Sequence, residues 1–588
     1  MKKYHCQEIT ENLLNKEIRL SGWVSKRRDH GGIIFVDLRD YTGIVQLVFN
    51  PEDKELFLKA ESIRSEFVIE VKGIVSDRLE GTINNDLITG KIEIIVSSLR
   101  ILNKAETPPL KINDDNVNED QRLQYRYLDM RSDKMQKTMR FRSKLIQVIR
   151  NFFYSKEFVD VETPILTKTT PEGARDYLVP SRVHPKEFFA LPQSPQLFKQ
   201  TLMIGGMDKY FQIAKCFRDE DLRSDRQPEF TQLDVELSFT DEEEIIQLIE
   251  ELFALIFKDV MNHSDNLNFQ RMSFTDALKN YGCDKPDLRN PLILKDIKKL
   301  VKEVDFKVFS DHVDNTNSRI VALKVPGGTS LSRKDIDNLT ESVKQFGSKG
   351  LAYFKCEDIS DIENGITSPI KKFLNTTVIK SILDEVTASN GDLIFFSADS
   401  MDIVNSSMSA LIKELGARLN LLSEGWKFLW ILDYPLFEKD GEGKPTSIHH
   451  PFTSPMDTSD LKEKNIYDIP SRAYDLILNG NEIGGGSIRI HSKEVQMKIF
   501  ELLNISAEEM NKKFGFFLDA LSFGCPPHGG IAFGVDRLVM LLLGLDSIRD
   551  TIAFPKTQSS SCLLTDAPSS VDEKQLSELS INIIKSVK

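Results

Sequence analysis

Charged residues interrupt two strand-like segments in the middle of the chain, and this limits what the chain can fold into. Residues 216–236 alternate apolar and polar positions at both ends, as paired strands do, but their centre is a charged loop. Arg218 lies near the end of the first strand, and Gln227 and Phe230 begin the second. A cation, an aromatic ring and carboxylates in one hairpin could hold a phosphate, a base and a metal ion. The pattern therefore indicates a nucleoside triphosphate site.

The length and charge of the chain set outer bounds on its organisation. With 588 residues it exceeds a single core, and we expect three or four domains. The 40% hydrophobic and 28% charged residues are typical of a soluble globular protein. A formal net charge of −13 argues against a protein that coats nucleic acid along its whole length. Local contact with nucleic acid is still open, because basic islands such as 26–28 could face phosphates.

Cysteine spacing and hydropathy indicate the cellular compartment in which the protein is expected. The six cysteines are scattered, without a Cys-x-x-Cys pair or a paired Cys/His spacing, so the sequence predicts neither a zinc site nor disulfides. The N-terminal residues lack the apolar stretch of a secretion signal, and the longest apolar run, 538–545, is too short to span a bilayer. We therefore expect a cytoplasmic protein with no membrane segment.

The first 105 residues contain five strand-like segments separated by turns that contain glycine, which predicts a small closed barrel of the OB type. The prolines that follow it begin a polar linker or hinge at 106–135. The five segments are 17–24, 33–38, 44–49, 67–75 and 92–102.

Beyond the linker, the periodicity predicts amphipathic helices, one of them starting at a capping box formed by Thr240 and Glu243. Residues 283–421 have strands and helices of their own, including a strand at 304–309, and interrupt the charged-strand pattern, which resumes at 426. We therefore expect an inserted α+β domain at 283–421.

Two glycine-rich segments near the C-terminal end carry further candidate residues. Three glycines between 529 and 534 would let a strand pass close beneath a flat ligand, and Arg537 in the following helix suits a terminal phosphate. Glycines before a helix are also commonly just a turn. Asp475 and Glu482, seven residues apart, could share one hard cation across two strands beside the glycines at 484–486. The alternative is a tight glycine-rich hairpin with surface charges.

Together these segments resemble the class II aminoacyl-tRNA synthetases over nearly the whole chain. Residues 158–164 match the dimer-forming first motif, the charged hairpin matches the second, and 530–537 match the third. One departure is Glu157, since the family usually has glycine before the aromatic residue of the first motif. The bacterial aspartyl branch is the most similar, and it also has an insertion between the second and third motifs. Its motifs are matched by 193–199, 217–220, 449–453 and 484–489.

This resemblance implies a multidomain α+β fold: an anticodon-binding OB barrel, and an antiparallel sheet flanked by helices whose two parts are 136–282 and 422–588. It also implies a homodimer, ATP as substrate, Mg²⁺ held by Asp475 and Glu482, and no zinc. Arg218, Glu482 and Arg537 would be catalytic. The residues implied to bind ATP are Arg218, Asp219, Glu220, Gln227, Phe230, Glu482, Gly534, Val535, Asp536 and Arg537.

The same resemblance implies L-aspartate as the amino acid. Its second carboxylate needs a cationic pocket, which Lys199, Arg489 and His449 would provide, while carboxylate and polar groups would receive the ammonium. The full set implied to contact aspartate is Glu172, Ser194, Gln196, Lys199, Arg218, Asp234, His449 and Arg489.

The tRNA is expected to meet the barrel. Phe35 could stack on an anticodon base, with Gln46 bonding its edge and Arg28 on the backbone, although such a phenylalanine taken alone is more often core. His30 and Gly81 lie at positions that the resemblance associates with a relaxed form, which charges the asparagine tRNA as well as the aspartate tRNA. Both the strict and the relaxed form remain open at this point.

Four other functions compete with this interpretation. A lysyl enzyme would need an acidic pocket, and an asparaginyl enzyme would lack the insertion. An RNA-recognition module that has lost catalysis would lack at least one of Arg218, Glu482 and Arg537, and all three are present. A ligase that forms asparagine without tRNA would lack the barrel.

Overall fold

The computed structural model describes residues 3–169 and 173–584. By its internal contacts the chain divides into two compact units, Met1–Phe141 with Arg549–Ser570, and Arg142–Ile548 with Val571–Lys588. Within the two described ranges, no helix is both long and apolar enough to cross a membrane.

The first unit contains a closed five-stranded barrel with strand order β1-β2-β3-β5-β4, which confirms the predicted OB-type fold. Alternate residues of each strand point inward and form its apolar core. The first strand is longer than predicted because a bulge at Val24/Lys26 lets it continue as a hairpin with the second. The barrel elements are β1 (Glu17–His30), β2 (Ile33–Arg39), β3 (Ile44–Phe49), α1 (Lys54–Glu61), β4 (Val68–Asp77) and β5 (Ile92–Asn103).

The segment predicted as a linker forms helices from Glu119 onward. Arg126 is buried there and donates hydrogen bonds to the carbonyls of Arg549, Ile552 and Ala553, which tie this segment to residues 549–553 of the same unit. Its helices are α2 (Glu119–Gln124), α3 (Arg126–Asp129) and α4 (Asp133–Ser155), the last of which continues into the second unit.

The N-terminal part of the second unit contains the charged hairpin. Helix α6 begins one residue later than the predicted capping box. The carboxylate of Asp241, not the hydroxyl of Thr240, accepts the capping hydrogen bond, from the N–H of Glu244. The elements are β6 (Val159–Asp160), β7 (Leu178–Pro180), β8 (Phe188–Ala190), α5 (Gln196–Ile204), β9 (Lys209–Phe217), β10 (Glu229–Ser238), α6 (Glu242–Asp259), β11 (Phe269–Ser273) and α7 (Phe274–Tyr281).

The next segment forms a separate five-stranded sheet with helices on both faces. Successive residues of its central strand face opposite sides and enter two different apolar cores. The predicted strand at 304–309 is wrong, because this apolar run leads into a helix that begins at Lys307 and buries Phe309. The elements are β12 (Leu294–Asp296), α8 (Lys307–Val313), β13 (Ser318–Val325), α9 (Arg333–Lys344), β14 (Ala352–Cys356), β15 (Ile366–Thr367), α10 (Thr376–Glu385), β16 (Leu393–Ser400) and α11 (Met401–Arg418).

The remaining elements complete the larger sheet of the second unit. They are β17 (Phe428–Leu432), β18 (Phe437–Lys439), β19 (Pro445–Ser447), α12 (Asp460–Glu463), β20 (Ala473–Leu478), β21 (Asn481–Ile488), α13 (Lys493–Leu502), α14 (Ala507–Leu521), β22 (His528–Gly534), α15 (Val535–Leu543) and α16 (Glu573–Glu578).

The eight strands of this sheet follow the order β11-β17-β20-β21-β22-β10-β9-β6. The six central strands are antiparallel, as expected, and only the two edge pairs are parallel. The inserted sheet enters after β11 and returns at β17, which are neighbours. Strands β6, β9, β10 and β22 are neighbours and bring the three sequence motifs side by side, although the insertion separates the second motif from the third along the chain.

Candidate active site

Two buried cations and two buried carboxylates meet at the centre of the eight-stranded sheet. The ammonium of Lys199, on α5, lies 3.0 Å from Asp234 Oδ1 and 3.3 Å from Glu236 Oε2. Arg489 holds the same Glu236 through two hydrogen bonds, Nε to Oε1 at 2.9 Å and Nη2 to Oε2 at 3.1 Å. The structure thus brings Lys199, Asp234 and Arg489 together, and Glu236 links them.

The local sequence explains how four charged groups fit inside a sheet. Asp234 and Glu236 are two apart on β10, so their side chains leave the same face. A Cβ atom at Gly530, on the neighbouring β22, would lie 2.1 Å from Glu236 Oε2. This glycine therefore makes room for the buried carboxylate, whereas the sequence had suggested that it makes room for a flat ligand.

The charges of this cluster follow from its burial. Burial alone would raise the pKa of Glu236, but Arg489 and Lys199 outweigh it and lower that pKa to about 2. Burial raises the pKa of Asp234 in spite of Lys199. Within the described residues, Asp234 Oδ2 is buried without a hydrogen-bond partner. A buried acceptor of this kind is costly unless a donor reaches it, so the position suits a ligand ammonium.

The two adjacent histidines take different partners. His450 Nε2 accepts a hydrogen bond from Arg489 Nη1 at 2.5 Å, and burial together with Arg489 lowers the pKa of His450 well below its usual value. His449 instead lies 2.9 Å from Asp475 Oδ1. Although burial acts against it, Asp475 raises the pKa of His449. The sequence had named His449 for the aspartate pocket and left open which of the two histidines contacts the substrate; the one that touches Arg489 is His450.

The charged hairpin places an arginine over an aromatic ring. The Arg218 guanidinium lies 5.1 Å from the centre of the Phe230 ring, and the N–H of Arg218 donates to Pro228 O at 2.9 Å. In the part of the chain that the structure describes, the buried Nε of Arg218 has no hydrogen-bond partner. Both groups are half-buried, which leaves a face for a nucleotide.

The other hairpin residues predicted to bind ATP are Asp219, Glu220 and Gln227. Asp219 forms an isolated bridge with Arg175. Glu220 accepts a hydrogen bond from Arg226 at 2.8 Å. Gln227 is buried beside them.

The residues predicted from the third motif divide into two groups. Arg537 is partly exposed and donates to the carbonyl of Glu482 at 3.1 Å and to Asp225 Oδ2 at 3.3 Å. Val535 and Asp536 are buried, and Asp536 accepts hydrogen bonds from Arg142 and from the Thr231 N–H. The carboxylate of Asp536 therefore fastens α15 to β10 and faces no open site. Gly534 N-terminally caps α15 and is half-buried.

The carboxylates of Asp475 and Glu482 both lie close to Gly485. A Cβ atom at Gly485 would lie 2.4 Å from Asp475 Oδ1 and 3.9 Å from Glu482 Oε1. Asp475 also accepts a hydrogen bond from the Tyr434 hydroxyl at 2.9 Å, and Glu482 is paired with Lys285 at 3.1 Å. Two oxygen ligands suit a magnesium ion that takes its other ligands from water and phosphate. Over residues 3–169 and 173–584, no group of three or more His, Cys, Asp and Glu side chains could hold a metal ion.

The first turns of α5 are anchored by amide side chains. Gln196 Nε2 donates to Gln200 Oε1 at 2.9 Å, and Gln200 in turn donates to His528. Ser194 Oγ accepts from the N–H of Gln196 at 3.3 Å. Glu172, which the sequence placed near the substrate ammonium, lies outside the described residues.

The barrel brings three predicted tRNA-binding residues onto one outer face. Arg28 holds Asp37 through two hydrogen bonds of 2.8 and 2.6 Å and also reaches Gln46 Oε1 at 3.3 Å. Phe35 is the cross-strand partner of Arg28. It is half-buried and lies on the side opposite the core, because its neighbours Ile34 and Val36 point inward. Phe35 is therefore not a core residue.

The last two predicted tRNA-binding residues are both exposed, one at the end of a strand and the other in a loop. His30 ends β1, and Gly81 lies in the loop between β4 and β5 with φ of +89°, in the region that favours glycine. Nothing lies within 4 Å of a Cβ built on Gly81, so the backbone conformation and not crowding calls for glycine.

Sequence reasoning missed three residues of the site. Glu236 could have been found from its spacing, because it lies two residues after Asp234 in a strand. No signal in the sequence separates His450 from its neighbour. Lys285 comes from the start of the insertion, far from every motif, and the sequence offers no sign that it reaches Glu482.

Comparisons with known proteins agree with this architecture. The family model described as tRNA synthetases class II (D, K and N) matches residues 118–558, and that described as OB-fold nucleic acid binding domain matches residues 18–102. A Legionella pneumophila (strain Corby) protein named aspartate–tRNA(Asp/Asn) ligase is 54% identical over 591 residues, with complete coverage of both chains. The protein of that name from L. pneumophila strain Philadelphia 1 is 53% identical with the same coverage.

Two solved structures share the fold. A putative aspartyl-tRNA synthetase from Leishmania major has a TM-score of 0.60 at 20% identity, with 94% of each chain covered. The asparaginyl-tRNA synthetase from Pyrococcus horikoshii, complexed with asparaginyl-adenylate, has a TM-score of 0.58 at 20% identity, with 95% of this chain and 98% of the other covered.

The barrel, the antiparallel sheet and the three motifs define a class II synthetase architecture. The chain belongs to the class II aminoacyl-tRNA synthetases, in the group of aspartyl, lysyl and asparaginyl members. It is therefore a ligase that uses ATP.

Proposed function

We propose that the chain activates L-aspartate with ATP and transfers it to the 3′ end of the aspartate tRNA. The observation that carries the proposal is the buried cluster in which Lys199 and Arg489 converge on Glu236, because two buried cations suit a dicarboxylic amino acid. The names of the two Legionella proteins support the same amino acid.

The aspartate would lie against this cluster. Its side-chain carboxylate would accept from Lys199 and Arg489, and its ammonium would donate to Asp234 Oδ2, with Ser194 and Gln196 nearby at the start of α5. The unpartnered, buried oxygen of Asp234 supports this orientation. Asparagine would not supply the carboxylate that Lys199 and Arg489 would bind, and such a mismatch can give roughly 10⁴-fold discrimination without editing.

The ATP would lie along the hairpin and the third motif. Phe230 would stack on the adenine, Arg218 would hold the α-phosphate and the substrate carboxylate, and Arg537 would hold the γ-phosphate. The unpartnered Nε of Arg218 supports that role. A carboxylate oxygen of aspartate then attacks the α-phosphorus in line and pyrophosphate leaves, so the protein contributes positioning and charge neutralisation.

Magnesium would be held by Asp475 and Glu482, whose carboxylates open onto Gly485. When bound, the ion neutralises phosphate oxygens. In the second step the terminal 3′-hydroxyl of the tRNA attacks the carbonyl carbon of aspartyl-adenylate, and AMP leaves.

The amino-acid assignment is tested by ATP–pyrophosphate exchange with each amino acid separately. We expect exchange with aspartate and none above background with asparagine, glutamate or lysine. Exchange with lysine or asparagine instead of aspartate would overturn the assignment and point to the corresponding rival enzyme.

We also propose that the chain charges the asparagine tRNA with aspartate. His30 and Gly81 support this relaxed form, as does the name tRNA(Asp/Asn) of both Legionella proteins. The test is transfer of radioactive aspartate to purified asparagine, aspartate and lysine tRNAs. We expect the first two to be charged and the third to stay uncharged. No transfer to the asparagine tRNA at high enzyme concentration would overturn the relaxed form but leave the aspartate assignment intact.

A homodimer and a cytoplasmic location complete the proposal. Strand β6, in the first motif, is an edge of the large sheet, and apolar residues around it are about half exposed, which supports a partner there. They are Tyr154, Val159, Ile165 and Leu166. Light scattering should give twice the 67.0 kDa of one chain. All six cysteines are free thiols, which supports a reducing compartment.

A further inference from the structure

A lysine from the start of the insertion pairs with one of the two carboxylates proposed to hold magnesium. Lys285 Nζ lies 3.1 Å from Glu482 Oε2 and 3.9 Å from Asp284 Oδ2. It belongs to the segment between α7 and β12, which leads from the large sheet into the inserted one. Its contact with Glu482 joins residues 197 positions apart, so the arrangement is a product of the tertiary fold.

The surroundings of Lys285 are strongly acidic. Burial is the largest cause of the raised pKa of the Tyr434 hydroxyl. The negative charges of Asp475, Asp284 and Glu482 raise this pKa further. Burial and the charge of Asp284 raise the pKa of Glu438 nearby. In the described residues, Lys285 pairs with Glu482 and His449 pairs with Asp475. Carboxylates gathered this closely repel one another unless a cation compensates them.

The side chain of Lys285 can leave this position easily. It is 46% exposed, and Glu482 is 37% exposed, so both can be reached from solvent. Asp475 is held more firmly, by Tyr434 and His449. A long, half-exposed lysine can swing away on its flexible stem, whereas the paired carboxylates remain in position.

We propose that Lys285 is a positioning residue that pairs with Glu482 and competes there with the divalent ion brought by ATP. The inference rests on the proposed magnesium site. The ammonium and the ion are both attracted to Glu482 and repel each other, so one displaces the other. The lysine therefore keeps the carboxylates compensated before the nucleotide arrives. Its departure also releases the first residues of the insertion from the large sheet.

The test measures metal binding without nucleotide. Mn²⁺ titrations of the full chain, followed by electron paramagnetic resonance, would compare wild type with Lys285→Met and Lys285→Gln. We expect both variants to bind Mn²⁺ at least about tenfold more tightly, and Glu482→Gln added to Lys285→Met to abolish the gain. The matched control is Lys349→Met, an exposed lysine of the insertion that lies 4.0 Å from Asp399. It should bind Mn²⁺ like wild type.

A second measurement separates this inference from the proposed function. In aspartate-dependent ATP–pyrophosphate exchange, the Mg²⁺ concentration at half-maximal rate should fall at least about threefold in Lys285→Met. Unchanged Mn²⁺ affinity, or an increased Mg²⁺ requirement, would overturn the competition. If wild type showed no aspartate-dependent exchange, the proposed function would fail, while the Mn²⁺ titration would still decide the role of Lys285.

Discussion

Replacing Lys199 by methionine is the sharpest test of the aspartate pocket. The side chain is 1% exposed and its ammonium lies within 3.3 Å of both Asp234 and Glu236. Removing one partner of such a buried network leaves a carboxylate uncompensated and costs about 3–5 kcal/mol of unfolding free energy. Part of this cost is relieved because burial already raises the pKa of Asp234, which can then take up a proton. We therefore expect Lys199→Met to lose unfolding free energy at the lower end of that range.

Activity should fall further than stability explains. Loss of one partner of a buried, hydrogen-bonded charge pair weakens binding by about 2–5 kcal/mol, or roughly 30- to 5,000-fold in kcat/KM for aspartate. ATP–pyrophosphate exchange measures this value, and urea unfolding followed by fluorescence measures stability. Trp426 and Trp430 both lie in the unit that contains the site, so their emission reports on it.

Two further variants separate the two effects. In Lys199→Met/Asp234→Asn the uncompensated carboxylate is gone, so most of the unfolding free energy should return while the exchange activity does not. Lys498→Met removes an exposed pair with Glu501, 3.1 Å long, and should change stability by less than about 1 kcal/mol. Wild-type kcat/KM for aspartate in Lys199→Met would refute the placement of this lysine in the pocket.

Three other predictions follow from the structure. Glu236 has a depressed pKa, so its ion pairs contribute fully above pH 4.5 and are lost as the pH falls towards 2. Glu236→Gln should therefore remove roughly 2 kcal/mol of the change in unfolding free energy between pH 5 and pH 3, as urea unfolding at these two pH values would measure. An equal change in unfolding free energy between pH 5 and pH 3 in wild type and Glu236→Gln would contradict this prediction. Phe35→Ala should raise KM for the tRNA roughly 5- to 150-fold and leave pyrophosphate exchange unchanged, whereas the exposed Leu58→Ala on α1 should change neither. Arg537→Ala should raise KM for ATP at least about tenfold in the exchange assay; a shift in KM for aspartate alone would argue against its phosphate role.

The sequence was sufficient for the barrel because strand alternation and turn residues are local signals. All five predicted strands are present, and the largest error is the length of β1, which continues past its bulge to His30. The run at 304–309 shows where such signals fail. Its apolar residues alternate like those of a strand, but Phe306 N-terminally caps a helix, and tertiary packing of Phe309 decides between the two.

The candidate site was only partly predictable, for a different reason. Lys199, Asp234 and Arg489 could be named because the segments that carry them resemble motifs of the aspartyl branch, whose substrate needs a cationic pocket. Their partners could not be assigned, since which carboxylate meets which cation depends on the order β21-β22-β10 in the sheet. The two histidines at 449 and 450 are an example: adjacent in the chain, they turn to Asp475 and Arg489 respectively.

The pairing of Glu236 with Arg489 has a consequence for synthesis on the ribosome. The two residues are 253 positions apart, so at about 5–20 residues per second the carboxylate waits roughly 13–50 s for its guanidinium partner. During that interval β10 lacks β22 on one side, and desolvating its acidic residues would be unfavourable. The edge of β10 that pairs with β22 therefore stays open until residues 528–534 have emerged, well after the strands of the inserted sheet.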